Sequence, residues 1–587
     1  MKIPRTSPFA AALSLLLSAS ALSAADNPVP PEAIRSDDIP QGTLTRGAFA
    51  DTKIYPGTTR DYAVYVPAQY DRESDEEAAL MVFHDGYGFC REDGGSRAHI
   101  VFDHLIHEGS MPVTIGLFIQ PGVLPPLQEG GEVRLNRSIE YDILNGNYAR
   151  FLIEEFIPYV EKTYDVKISQ DPNRRGLCGA SSGGIAAFTA AWERPDSFRR
   201  VFSMVGTFTG HRGGDDYPTL VRRTEPKPLR VFIQGNTDDL DLGSGDWWIA
   251  NLSLQRALEF SGYETDHQWG EGGHGQKNGA AIFPEVMRWL WETETVSSHP
   301  ENYGSRSRDY IDLEADWEVV SEGHQWAEGL VATDDGTLFF TDVRAGELYK
   351  IAPDGTKTLV DDDTGRTNGL ALGPDGRIYG AAAGAKEIRA WDPATGERET
   401  IASGTHSNDL VVHHEGHIYY TDPQEGKVWH LAPGTRERRA ADPKFPTCNG
   451  IAISADHSLL YVADFSGRYI HSYQIQPDGS LKYKLPFFHA QLPADGGHSH
   501  LDGMCVNDQG NLLVATSAGI QVFDPRGRIL IVLPRPNHED ARTNYVAFGG
   551  PDRKTLYVAT AGTVYRRPAK QFRGAHPQAP LQAGAGE

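Results

Sequence analysis

Six copies of one short pattern in the C-terminal half constrain the fold of this chain more than any other feature. Each copy opens on an acidic or amide residue, usually followed by Gly. A short apolar run, a turn and a second apolar strand come next. The copies begin at Glu328 (EGLVATDDGTLFFTD), Asn368 (NGLALGPDGRIYGA), Asn408 (NDLVVHHEGHIYYTD), Asn449 (NGIAISADHSLLYVAD), Asp502 (DGMCVNDQGNLLVAT) and Asn544 (NYVAFGGPDRKTLYVAT). Successive starts lie 40, 40, 41, 53 and 42 residues apart. A strand-only repeat of this period is the mark of a β-propeller blade, so residues 313–570 are expected to form six blades. The longer interval before Asp502 holds an inserted loop, Asp495 to His500 (DGGHSH). The first strand of each blade faces the central channel, which brings these six oxygen-bearing side chains to one axis. Two are carboxylates, and the set suits a hard divalent cation such as calcium. Asn-Gly and Asp-Gly pairs also make plain turns, but six in phase favour a shared site.

The N-terminal half has a different texture. Over residues 40–295 apolar runs (Tyr62–Val66, Leu80–Phe83, Val113–Ile119, Leu229–Ile233) alternate with helical spacing (Tyr148–Tyr164, Ile185–Trp192, Ala250–Phe260). That alternation predicts an α/β domain, a mostly parallel sheet covered by helices on both faces. Residues 296–312 read as a polar linker, and 571–587, rich in Ala, Gly, Pro and Gln, as a disordered tail. At 587 residues the chain exceeds one core, which agrees with two domains.

Residues 1–25 carry Lys2 and Arg5, an apolar run from Ala10 to Leu22, and Ser23-Ala24-Ala25 ahead of Asp26, the layout of a signal peptide. The expected location is periplasmic or secreted. No stretch reaches the roughly 20 apolar residues of a membrane span. The net charge of −24 repels phosphate and argues against a nucleic-acid partner. The four cysteines (Cys90, Cys178, Cys448, Cys505) match no zinc template and read as small core residues.

Gly179-Ala180-Ser181-Ser182-Gly183 is G-x-S-x-G between an apolar stretch and a helical one, the context of a nucleophile elbow. The glycines are needed because the turn leaves no room for a Cβ beside the serine. In such folds an acid and then a histidine follow in chain order. After the strand at Leu229 comes QGNTDDLDLGSGDWW, and WGEGGHGQKNG follows a further helix and strand. Ser181 is therefore the candidate nucleophile, His274 the base and Asp239 the orienting acid, with Asp238 and then Asp241 as alternatives. The remaining aspartates, Asp246 included, read as loop, cap or solvated residues. The oxyanion hole is expected from the N–H of Ser182 and of Tyr87 or Gly86, in His84-Asp85-Gly86-Tyr87-Gly88. Glu140-Tyr141-Asp142 reads as structural, lining the cleft rather than reacting.

VFHDGYGF, RSIEYD, FIPYVEKTYDV, GASSGG, GDWWIANLSLQRALEFSGYE and WGEGGHGQKNGA resemble the esterase D and enterochelin-esterase-like family of α/β hydrolases. That resemblance implies carboxylic-ester hydrolysis with no cofactor, on substrates such as acetyl or feruloyl sugars or siderophore esters. WAEGLV, SNDLVV, CNGIAIS, LDGMCV and TNYVAFGG resemble the six-bladed gluconolactonase and luciferin-regenerating-enzyme-like family. It implies a divalent metal, commonly calcium, on Glu328, Asn449 and Asp502. It also implies Asp502 as general base and Asn408 touching substrate or metal. Sugar-lactonase members often carry Arg where this chain has His406, a candidate substrate contact. Small-molecule or carbohydrate esters and lactones are the expected partners. Three readings follow: an esterase fused to a working lactonase, a protein whose propeller carries the main activity on sugar lactones or siderophore esters, and an esterase whose propeller is a calcium-stabilised binding module.

Overall fold

The computed structural model describes residues 29–126, 128, 132–296, 310–492, 498–537 and 542–576. The signal-peptide segment 1–25, most of the expected linker, the start of the DGGHSH loop and residues 577–587 lie outside the described residues.

The N-terminal domain is built on an eight-stranded sheet. Its strands are β1 (Thr43–Phe49), β2 (Arg60–Val66), β3 (Ala79–His84), β4 (Thr114–Ile119), β5 (Arg175–Ala180), β6 (Arg200–Met204), β7 (Arg230–Asn236) and β8 (Glu264–Gly270). Their order is β1-β2-β4-β3-β5-β6-β7-β8, with β2 antiparallel to both its neighbours, β1 and β4, and every other pair parallel. Strands β3, β4, β5 and β6 are buried along their whole length, which is why their sequences are continuous apolar runs. One face packs α1 (Ala98–His107) and the helix Phe283–Trp291. The other packs α2 (Ile157–Tyr164), α3 (Ser182–Glu193), α4 (Tyr217–Arg223) and α5 (Trp247–Phe260). The helical stretch predicted over Tyr148–Tyr164 is present, but Phe151–Phe156 is wound as a π-helix. That insertion leads Phe151 and Phe156 to stack at 6.0 Å.

The second half forms six four-stranded antiparallel sheets, one per repeat. Five blades are sequential in the chain. The sixth takes its outermost strand, Glu318–Glu322, from the domain's N-terminal end and pairs it with Thr563–Pro568. The ring is thus closed by hydrogen bonds between its two ends.

Two expected boundaries shift. Tyr310 and Ile311, placed in the linker, are buried in the propeller core. Gln571 to His576, placed in the tail, are ordered: Phe572 packs on Tyr310 at 4.6 Å and Gly574 pairs with Asn507. The composition is poor in apolar residues, and the single aromatic in it supplies the anchor. The two domains touch directly. Thr224 pairs with Val532, and the Arg567 guanidinium bonds both oxygens of the buried Glu225 carboxylate, at 2.7 and 2.9 Å. Three cysteines are buried, Cys505 is half-buried, and all four are free thiols.

Candidate functional site

β5 runs into Ser181, which sits at φ 58°, ψ −123° before α3 begins at Ser182. A non-glycine residue holds such a conformation only where its surroundings enforce it. Here a Cβ on Gly179 would lie 2.2 Å from the Gly183 carbonyl oxygen, and one on Gly183 3.1 Å from the His84 Cβ. The glycines are therefore demanded by close approach, as the motif implied. Ser182 and Gly183 open the helix, so their N–H groups lack intrahelical acceptors. Gly86 and Tyr87 likewise open the short 3-10 turn Gly86–Gly88 after β3. That loop is held by Arg137, which bonds both oxygens of Asp85, and by the Tyr141 hydroxyl, which accepts the Asp85 N–H at 3.3 Å.

The acid and the histidine come from the loops after β7 and β8. The His274 Nδ1–H donates to Asp239 Oδ1 at 2.6 Å, and the Asp239 side chain is 0% exposed. Asp238 is exposed, Asp241 is an exposed hairpin residue, and Asp246 caps α5 through the Ile249 N–H. The structure thus selects Asp239 among the alternatives as the imidazole's partner. Asn236, which the sequence reading missed, ties the two loops. Its amide donates to the Gly273 carbonyl at 2.8 Å and its oxygen accepts from Asn278 at 2.8 Å. Trp247 joins the elbow to the histidine: its Nε1–H donates to Thr207 Oγ1 at 3.3 Å and its ring meets His274 edge-on at 6.1 Å. The Ser181 hydroxyl contacts Thr207 Oγ1 at 3.3 Å and makes no hydrogen bond to the imidazole among the described residues. Such contacts often tighten only when substrate is bound.

Glu140 does not line the cleft. Its carboxylate is fully buried against Arg60 at 2.7 Å and also accepts the Gly122 N–H at 3.0 Å, a purely structural role. His84, behind the oxyanion loop, is pushed down to about 4 by burial and stays neutral.

In the propeller the six in-phase residues do converge. Asn368 Nδ2 donates to Asn408 Oδ1 at 3.0 Å, and Asn408 Nδ2 to Asn449 Oδ1. Glu328 accepts from Trp326 Nε1 at 3.0 Å. The glycines that follow them are not turn residues. A Cβ on Gly369 would strike the Asp409 carboxylate, and one on Gly450 the Asp502 carbonyl of the next blade. Burial, reinforced by the Asp502 charge, pushes Glu328 far above the carboxylate range, and burial raises Asp502 to about 7. Asp409, missed because NDL read as a variant of NGL, is a third buried carboxylate. It accepts from the Tyr545 hydroxyl at 3.2 Å and is also pushed well up by burial and by Asp502. Arg542 is the second missed residue. It lies 4.0 Å from Asp502, with Trp326 and Phe465 rings on it at 5.4 and 5.1 Å. His406 is half-buried, and its Nδ1 has no hydrogen-bond partner among the described residues.

Burial holds the three carboxyl groups toward their protonated forms, and a divalent cation would take the place of those protons. Glu328, Asp502 and the Asn449 amide oxygen are the hard oxygen donors such an ion takes. The residues present fit the metal that the sequence resemblance implies.

A parallel sheet with a strained serine elbow, an acid–imidazole pair on adjacent loops, and a propeller with an acidic channel define an α/β-hydrolase-type domain fused to a six-bladed propeller. Residues 55–302 match the family described as putative esterase, and residues 326–562 the SMP-30/gluconolactonase/LRE-like region. Curated relatives that align with this chain include a gluconolactonase and a lactonase. Gluconolactonase of Zymomonas mobilis is 27% identical over 45% of this chain and 83% of its own length. Lactonase drp35 of Staphylococcus haemolyticus is 26% identical over 38% of this chain and 74% of its own. Among solved structures, a gluconolactonase from Xanthomonas campestris is 24% identical at a TM-score of 0.39, covering 45% of this chain and 92% of that one. The enterobactin esterase of Shigella flexneri is 18% identical at a TM-score of 0.32, over 43% of this chain and 61% of that one. An esterase-like domain joined to a gluconolactonase-like propeller supports a hydrolase.

Proposed function

We propose that this protein is an exported serine carboxylic-ester hydrolase acting on acylated carbohydrates, with a metal-dependent lactonase-like propeller as its second domain. The observation that carries the reading is the 2.6 Å bond from His274 to the buried Asp239, set beside the strained Ser181 elbow. With Nδ1–H committed to Asp239, Nε2 is the nitrogen that takes the Ser181 proton as Oγ attacks the ester carbonyl. The oxyanion is met by the N–H of Ser182 and of Gly86 or Tyr87. His274 then returns the proton to the departing alcohol, and water repeats the sequence on the acyl-serine.

In the channel, a bound divalent cation would polarise a lactone carbonyl. Asp502, beside that ion, would take the proton from the attacking water. Asn408 and His406 offer polar groups to the sugar, and Arg542, 4.0 Å from Asp502, offers a positive charge beside the channel carboxyls. A second reading makes the propeller a calcium-stabilised binding module. It is favoured by the amide chain Asn368–Asn408–Asn449, which already spends Asn408 on its neighbours.

The test is a panel of p-nitrophenyl esters, acetyl and feruloyl sugars, siderophore esters and aldonolactones. Ser181→Ala is expected to lower ester turnover about a thousandfold or more with an unchanged melting temperature. Asp502→Ala should abolish lactone turnover and spare esters. Full ester turnover in Ser181→Ala defeats the esterase reading, and absence of lactone turnover with calcium present leaves the binding-module reading.

A further inference from the structure

The propeller carries a second cluster of ligand-type side chains, remote from the acidic channel residues. The turn after the inner strand Leu410–Val412 reads His413-His414-Glu415-Gly416-His417, and the equivalent turn of the next blade supplies His457. We propose that His413, His414 and His457 form a binding site for a borderline divalent transition-metal ion of the Zn2+ class, stapling the third blade to the fourth.

Among the described residues, these are the only three His, Cys, Asp or Glu side chains whose ligand atoms all lie within 4.8 Å of one another. His414 Nδ1 and His457 Nδ1 stand 3.1 Å apart. Two nitrogens bound tetrahedrally at about 2.0–2.1 Å from zinc are separated by about 3.3 Å, so the spacing is nearly that of one coordination edge. The rings are preset. His457 holds φ 60°, its N–H donates to the Ser454 carbonyl at 2.8 Å, and its Nδ1 accepts the His414 N–H at 3.1 Å, a bond the ion would displace. His413 reaches the His457 carbonyl through Nε2 at 3.2 Å, a contact the ion would take over. A left-handed histidine costs free energy and persists only where the surroundings impose it.

The chemistry selects the ion. Imidazole nitrogen suits zinc and its neighbours, whereas calcium takes oxygen. Metal ligation needs neutral imidazole. Burial lowers His413 and, helped by His413 and His414, takes His457 down to about 3. His413 and His457 are buried, while His414 is half-buried and leaves a solvent side for entry and a fourth ligand. The Glu415 N–H donates to His413 Nδ1 at 3.1 Å and orients that ring, while the Glu415 carboxylate stands off at 3.9 Å. The adjacent pair His417–His430 stays outside the set because Arg439 donates to His430 at 3.0 Å and brings a positive charge. The site lies beyond the far end of the inner strand from Asn408, five residues or about 17 Å along extended chain, so it is separate from the carboxylate channel.

The experiment uses the full-length protein saturated with calcium and titrated with Co2+. One Co2+ per chain is expected, with the intense visible bands of a low-coordinate site, displaced by Zn2+ and accompanied by a rise in melting temperature. His414→Gln and His457→Asn should each abolish the bands, and Asp502→Asn should keep them. Asn is chosen at 457 because it tolerates positive φ. His414→Gln, at a half-exposed ring, should retain the metal-free melting temperature, which separates loss of a ligand from loss of fold. No visible bands, bands that survive both histidine variants, or bands lost in Asp502→Asn would overturn the assignment.

Discussion

Replacing Asp239 by Asn tests the hydrolase site most directly. Asp239 Oδ1 accepts two N–H groups, from His274 at 2.6 Å and from Leu240 at 2.7 Å, while Oδ2 is buried without a partner. Turning the new amide nitrogen toward His274 would set it against the Leu240 N–H, two donors face to face. The variant therefore keeps its oxygen on both donors and places the NH2 in the empty buried corner, at about 1–3 kcal/mol for an unmet donor. In that rotamer the imidazole keeps its tautomer, and what disappears is the negative charge that balances the imidazolium in the transition state. Opposite charges about 4 Å apart at an effective dielectric near 20 interact by about 4 kcal/mol, which is about a thousandfold in rate. Steady-state kinetics on a p-nitrophenyl ester should show kcat lowered about that much with KM little changed, because Asp239 touches no substrate. Asp238→Asn, at an exposed position, should stay within about twofold. Retention of a third or more of kcat by Asp239→Asn, or a large loss confined to Asp238→Asn, would refute the reasoning.

Other expectations concern the channel, the domain contact and export. Asp502 has its folded pKa raised to about 7, far above an unfolded aspartate, so the metal-free fold binds the extra proton between about 4 and 7 and loses stability as pH rises through that window. The melting temperature of the chelated protein should fall from pH 5 to pH 8, and calcium should restore more at pH 8 than at pH 5. Equal calcium effects at both would disagree. Arg567→Ala strands the buried Glu225 carboxylate and should cost about 3–5 kcal/mol by chemical denaturation, with Arg567→Ala/Glu225→Ala recovering a good part. If residues 1–25 are an export signal, the protein recovered outside the cytoplasm should begin at Asp26 on N-terminal sequencing; an intact Met1 there would contradict it.

Much of the architecture was legible because both halves repeat a rule. Continuous apolar runs mark strands buried on both faces, and six in-phase copies mark blades. Ser181, Asp239 and His274 were read from their places in loops after strands, in chain order; the structure brings Asp239 to His274, while the Ser181 hydroxyl meets Thr207. The rest depends on contacts between distant segments. Arg542 lies outside the repeated Asn-Gly frame and Asp409 takes the place of its Gly, and only the closed ring brings them to Asp502. Asn236 was read as one residue of the loop after Ile233, and its role appears only when Gly273, far along the chain, comes to meet it. Glu140 was misplaced because its partner Arg60 sits on β2, with no local sequence signal joining the two. The tail was misread since Phe572 is one aromatic among polar residues, and its anchor, Tyr310, lies across the ring closure.

The clasp of the ring has a practical consequence. Strand Glu318–Glu322 lies upstream of residue 326, where the match to the lactonase-type region starts, yet it completes the last blade. A fragment cut at 326 would bare the edge of Thr563–Pro568, with a row of free N–H and C=O groups ready to recruit any extended peptide. Such a piece should oligomerise or precipitate, while one starting before Tyr310 should stay monodisperse; the gene-level boundary and the physical boundary of this propeller are not the same residue.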